Sequence, residues 1–183
     1  MKKIIKRYLG RLRGEPNLEK LKRRGLQIGQ NFKMMGEVII DPSHCWHISI
    51  GDNVILAPRV HILAHDASTG LFLKYTKVAN VKIGNNVFIG AGSIVLMGVT
   101  IGDNVVIGAG SIVSRNIPSN SLAVGNPAKV VCSLDEYLAK EKQLMTPENT
   151  FSEEYTLRNP HFNKTQKDEM VIASDKYKKA YVI

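Results

Sequence analysis

The chain has 183 residues with 25 Lys and Arg against 16 Asp and Glu, a formal net charge of +9, and its length predicts one domain. No run approaches the roughly 18 apolar residues that cross a bilayer, and the two cysteines, Cys45 and Cys132, form no spaced framework, which points to a reducing cytoplasm. The charge is gathered at one end: residues 1–25 hold ten Lys or Arg against Glu15 and Glu19, and the remainder is nearly neutral. A nucleic-acid face, which would spread basic charge among stacking aromatic residues, is not expected.

In residues 2–13, Ile4, Ile5, Tyr8, Leu9 and Leu12 gather near one side of a predicted helix, with basic residues around the rest. The start lacks the apolar stretch and small-residue cleavage site of a signal peptide. After a turn at 14–16, Asn17 is placed to cap a second short helix over 18–24. Segment 1–25 is read as a cap on the open end of the repeat structure that follows, whose terminal coil would otherwise expose its interior and ladder edge. A basic amphipathic helix also suits peripheral contact with an anionic lipid surface.

From residue 26 a six-residue beat sets in. It is clearest over 83–118, where IGNNVFIGAGSIVLMGVT is followed by IGDNVVIGAGSIVSRNIP, alike at eleven of eighteen positions. Ile83, Ile89, Val95, Ile101, Ile107 and Val113 fall six apart, with Val87, Ser93, Val99, Val105, Ser111 and Ile117 four further on. A helix needs apolar residues every three to four positions, so neither period is helical. Three short strands joined by tight corners fit, one coil per eighteen residues, with the opening aliphatic of each hexapeptide inward. Gly at the second place and Asn, Asp or Gly at the fourth are expected to take corner dihedrals that other residues resist. Stacked coils then bury a continuous aliphatic ladder, as a parallel β-helix of triangular section.

The beat is broken twice. Four extra residues in PSHCWH, before Ile50, predict a bulge. After Ile62 it fails until Ile83, so residues 66–82 are expected to project as a loop from a corner, a natural position for function. It decays through SNSLAVGNPAK, where Pro127 is expected to mark the exit from the coils. Ser133 and Glu136 form a capping-box start for a helix over 134–145, and 146–183 reads as a polar, partly ordered extension. The expected divisions are therefore 1–25, 26–132 and 133–183.

These motifs, with IGDNVILAPRVHILAHD at 50–66 and VGNPAKVV at 124–131, resemble the hexapeptide-repeat acyltransferases, closest to the galactoside and maltose O-acetyltransferases and the sugar O-acetyltransferases of capsule and lipopolysaccharide synthesis. The likeness covers roughly residues 26–132. It implies an all-β fold, a left-handed parallel β-helix with short N- and C-terminal helices, and an acetyl-CoA-dependent O-acetyltransferase acting as a homotrimer on a sugar or glycan hydroxyl. By that resemblance His65 is the general base, which suits a neutral imidazole at working pH, and Ala91 supplies an oxyanion-binding N–H. Carried over the same way, Ala91 and Ala109 lie along the pantetheine of acetyl-CoA, Ser114 is a further cofactor contact, and Arg115 and Lys129 suit its phosphates. Asp66 and Trp46 are assigned to the acceptor side. The span from IGDN to His65 is two residues shorter than in the galactoside enzymes, as in the polysaccharide-modifying branch, and MMGE stands where those enzymes carry an acceptor-binding Asn.

Three other readings stay open. The same base would serve an amino-sugar N-acetyltransferase, and a hexapeptide-repeat assembly module could use loop 66–82 to hold a protein. The third is zinc: His44, His47, His61 and His65 resemble the three-histidine zinc set of a carbonic anhydrase-like family with this fold. Its close pair is spaced five apart, whereas His61 and His65 are four apart, so no metal is expected.

Overall fold

The computed structural model describes residues 16–183, so the helix expected over 2–13 lies outside the described residues. The chain divides at Asp135 into two compact units. The first opens with a helix, Leu18–Arg23, whose N-cap Asn17 side chain accepts from the Lys20 N–H at 3.1 Å, and Leu21 is its buried residue.

Next come short strands in the three-beat order the period requires: β1 (Gln27–Ile28), β2 (Lys33–Met34), β3 (Ile39–Ile40), β4 (Ile48–Ile50), β5 (Ile55–Leu56) and β6 (His61–Ile62). An outlying pair, β7 (His65–Asp66) and β8 (Lys77–Val78), precedes β9 (Val81–Ile83), β10 (Val87–Ile89), β11 (Ile94–Val95), β12 (Thr100–Ile101), β13 (Val105–Ile107) and β14 (Ile112–Val113). Two strands close the unit, β15 (Ser121–Val124) and β16 (Lys129–Ser133). Sheet A runs β1-β4-β9-β12, sheet B β2-β5-β10-β13-β15-β16 and sheet C β3-β6-β11-β14. All neighbours are parallel except β15 and β16, which pair antiparallel across the turn holding Pro127. The beat thus persists one strand past its apparent decay, and β16 then folds back along the edge of sheet B.

Every residue on the two inward beats from Ile83 to Ile117 is buried. Their Ile and Val side chains stack coil on coil through registers such as Val87↔Val105 and Ile83↔Ile101, which builds the single core of this unit. The corner chemistry differs by place. Asparagine at the fourth place does take left-handed dihedrals, and Asn31, Asn53, Asn86, Asn104 and Asn120, all at φ 54–58°, hand amide hydrogen bonds of 2.9–3.0 Å from coil to coil along the corner between sheets A and B. Glycine at the second place is needed for another reason. Gly90 has no positive φ, but a Cβ there would lie 2.5 Å from the Ala109 nitrogen of the next coil. Close stacking, not dihedral freedom, excludes a side chain. Gly90→Ala is therefore expected to cost about 1–3 kcal/mol, read as a lowered thermal midpoint; an unchanged midpoint would contradict the stacking argument.

The PSHCWH bulge is one turn of 3-10 helix, Cys45–His47, and the long insertion is framed by the antiparallel β7–β8 pair around a single helical turn, Gly70–Leu73. Leu71 and Phe72 at its tip are 82% and 81% exposed. Cys45 and Cys132 are both free thiols.

The second unit is more ordered than an irregular extension. After the helix Leu134–Leu144, β17 (Thr150–Phe151) pairs parallel with β18 (Tyr181–Val182) around a 14-residue helix, Lys164–Tyr177. A capping box starts that helix: the Asn163 side chain accepts from the Gln166 N–H, and the Gln166 side chain accepts from the Asn163 N–H at 3.0 Å. This N-x-x-Q signal was available in the sequence, but weak apolar periodicity after it obscured the helix. Lys179 Nζ donates to both Glu141 oxygens at 2.6 and 2.8 Å, and Tyr181 Oη donates to Glu141 Oε2 at 2.9 Å. Among the described residues no helix is long and apolar enough to cross a membrane.

Candidate active site

The corner between sheets C and A carries an unusual concentration of polar side chains. Asp41 follows β3 there, and its side chain has no exposed surface. A buried carboxylate needs donors, and it has four. Oδ1 accepts from the Ser43 and His44 N–H groups at 2.9 and 3.1 Å, while Oδ2 accepts from the Ala64 N–H at 3.0 Å and from His65 Nδ1. Burial pushes the carboxyl upward, but the bonds from His65 and from the His44, Ala64 and Ser43 backbone outweigh it and hold Asp41 below its ordinary range.

A depressed carboxyl contributes stability that is complete above the unfolded value, about 3.9, and is lost as pH falls through the lower folded value. The melting-temperature gap between wild type and Asp41→Asn should therefore be wide at pH 7 and close in acid. A gap independent of pH would contradict the ionised state.

His65, one coil above Asp41 at the same corner, is thereby fixed through Nδ1, which leaves Nε2 as its free ring nitrogen. Its ring lies 4.8 Å from that of His44, which lies 5.3 Å from Trp46. His44 Nδ1 is buried and has no hydrogen-bond partner among the described residues. Asp41 carries no expectation from the sequence, and His44 is expected there only as one of four histidines compared with a zinc set. The Asp-Pro-Ser-His run in the bulge was the available signal, but nothing in linear spacing ties it to a histidine 24 residues on.

The remaining expected residues separate by corner. Asp66 sits beside His65, yet its oxygens are taken within the loop: Oδ2 by Lys77 Nζ at 2.5 Å and Oδ1 by the Ser68 N–H at 2.8 Å. The Lys77 bond holds it well below the usual carboxylate range. Asp66 therefore works as a clasp at the loop base. Ser114 and Arg115 follow β14 on the His65 edge, two coils on, whereas Ala91 and Ala109 lie in the turns between sheets B and C, with Lys129 opening β16 beside that edge. The Ala91 N–H and His65 of one chain thus stand at opposite borders of sheet C.

Of the four histidines weighed for zinc, His47 Nδ1 is bonded to Asn80 Oδ1 at 2.7 Å, and His61 is on β6 with its side chain outward on sheet C. Only His44 and His65 meet, with Asp41, their ligand atoms within 4.8 Å of one another. Tetrahedral zinc spaces its ligands about 3.4 Å apart, so a metal there would have to displace the Asp41–His65 bond. The arrangement as built suits proton transfer: an imidazole with one nitrogen held by a buried carboxylate and the other free.

The fold and the repeat have counterparts among known proteins. A family model described as the hexapeptide repeat of succinyl-transferase matches residues 80–115. Protein CapG of Staphylococcus aureus is 40% identical over 145 residues, 76% of this chain and 83% of CapG. Among solved structures, a galactoside acetyltransferase in complex with coenzyme A matches at TM-score 0.56 and 38% identity, covering 62% of this chain and 57% of that one. A maltose O-acetyltransferase from Clostridium difficile 630 matches at TM-score 0.53 and 32% identity, covering 69% and 83%. The chain spans a little over half of the galactoside enzyme's length.

Proposed function

The chain belongs to the hexapeptide-repeat acetyltransferases, and from that premise we propose that it transfers acetyl from acetyl-CoA to a hydroxyl of a sugar or glycan precursor, with His65 as general base. The observation that carries this is the Asp41–His65 pair at a coil corner. His65 Nε2 removes the acceptor hydroxyl proton, the oxygen attacks the thioester carbonyl, and the collapsing tetrahedral intermediate expels CoA thiolate, which takes the proton back from Nε2. Asp41 fixes the tautomer and balances the transient imidazolium. No covalent acyl-enzyme is needed. The galactoside enzyme's structure in complex with coenzyme A supports acetyl-CoA as co-substrate.

The active unit in this reading is a homotrimer. Because the Ala91–Ala109–Lys129 edge and the His65–Ser114–Arg115 edge flank sheet C, one cofactor meets both sets most simply in a groove between two copies. Outward residues support the same assembly. Sheet B presents Ile55, Phe88, Val106 and Leu122 after Lys33, and sheet C presents Ile39, Ile94 and Ile112 with His61 among them, largely apolar rows that a second copy would cover. The oxyanion N–H of Ala91 would then come from the neighbouring subunit.

The test is free-thiol release from acetyl-CoA over a panel of sugars and amino sugars. Release that depends on a hydroxyl acceptor supports the proposal, and release with amino sugars alone would replace it by N-acetylation. No release with any acceptor, together with no calorimetric binding of CoA, would overturn it in favour of an assembly module.

A further inference from the structure

Sheet A differs from the other two faces. Its register sets Gln27, Ser49, Lys82 and Thr100 in one outward row, polar throughout. Where this row meets the 3-10 turn, a cleft of about 180 Å³ opens, lined by Trp46, Gln27, Ser49, Asn80 and Lys82 among others. Trp46 is 49% exposed, and its seat is specified. Gly25 has a φ of +105°, and a Cβ there would fall 2.7 Å from Trp46 Cβ. The His47–Asn80 bond engages the Asn80 carbonyl oxygen, so the amide's nitrogen keeps donors to offer. Lys82 has no ion-pair partner among the described residues.

An exposed indole ringed by amide, hydroxyl and ammonium groups matches the two surfaces of a pyranose, an apolar C–H face and a rim of hydroxyls. The cleft also lies close to the reacting centre, since Trp46, in its lining, packs against His44 and the His44 ring packs against His65. Phosphate-rich ligands are less well served, because Lys82 is the one charged residue in the lining. We propose that this cleft is a second acceptor subsite, holding the sugar residue next to the one acetylated, so that the enzyme prefers an oligosaccharide or glycan-linked acceptor to a monosaccharide. The proposal rests on the transferase reading of His65 and names the substrate class of that site.

The experiment compares kcat/KM for glucose with maltose, galactose with lactose, and N-acetylglucosamine with chitobiose, in wild type, Trp46→Ala and Lys82→Ala. Wild type should favour at least one disaccharide over its monosaccharide. That ratio should fall about tenfold in Trp46→Ala and about threefold to fivefold in Lys82→Ala, through KM rather than kcat. A ratio unchanged in both variants, or a wild type indifferent to chain length, would overturn the subsite. Calorimetric titration of the same disaccharides into the full chain separates this from failure of the transferase reading. Disaccharide binding lost in Trp46→Ala, with no turnover on any acceptor, keeps the subsite and sinks the chemistry. Turnover on monosaccharides with no disaccharide preference does the reverse.

Discussion

Replacing His65 by alanine is expected to lower kcat by a factor of about 10²–10⁴, the usual worth of a positioned general base, while the coils stay folded. The fold should survive because His65 is only partly buried at a corner and its inward neighbours Ile62 and Ala64 carry the core contact there. KM for acetyl-CoA should change little, since the expected cofactor contacts lie on other turns. Steady-state kinetics beside a circular-dichroism melt would decide the matter. Wild-type turnover in a folded His65→Ala would remove His65 from the mechanism.

Asp41→Asn is expected to lower kcat by up to about 10⁴-fold through the tautomer of His65. In wild type both Ala64 N–H and His65 Nδ1–H donate to Oδ2. An amide nitrogen in that place presents a donor to two donors, unless the imidazole moves its proton to Nε2 and so loses its basic nitrogen toward the acceptor. If the amide is turned instead, the Ser43 and His44 N–H groups meet the same conflict. Either way a buried N–H is left unpaired, at about 1–3 kcal/mol, so a lower melting temperature should accompany the lost turnover. Reduced stability with wild-type kcat would make Asp41 a structural residue alone.

The two effects have different origins in the chain. The coils were legible because each hexapeptide repeats one physical requirement: an aliphatic inward, a residue without a side chain where coils touch, and asparagine where the dihedral turns left-handed. Local rules of this kind repeat often enough to be read from linear order. The second glycine shows the limit, since the sequence marked Gly90 as special while the nearby Ala109 nitrogen explains why. The tail shows another, because its helix depends on one capping box and a short two-strand clasp rather than on a repeated beat.

Sequence alone therefore determined the β-helix, its corners, its interruptions and the candidacy of His65. Tertiary structure decided which groups act together. It set Asp41 under His65 and His44 beside it, turned Asp66 inward to its own loop, and placed Ala91 and His65 on opposite borders of sheet C. It also left Trp46 open on the polar face. The physical reason is that a coil brings residues one turn apart in the chain into contact across its stacking direction, and insertions at 41–47 and 66–82 vary the number of residues per turn. Once that number varies, spacing in the sequence no longer reports proximity, and only the stacked coils do.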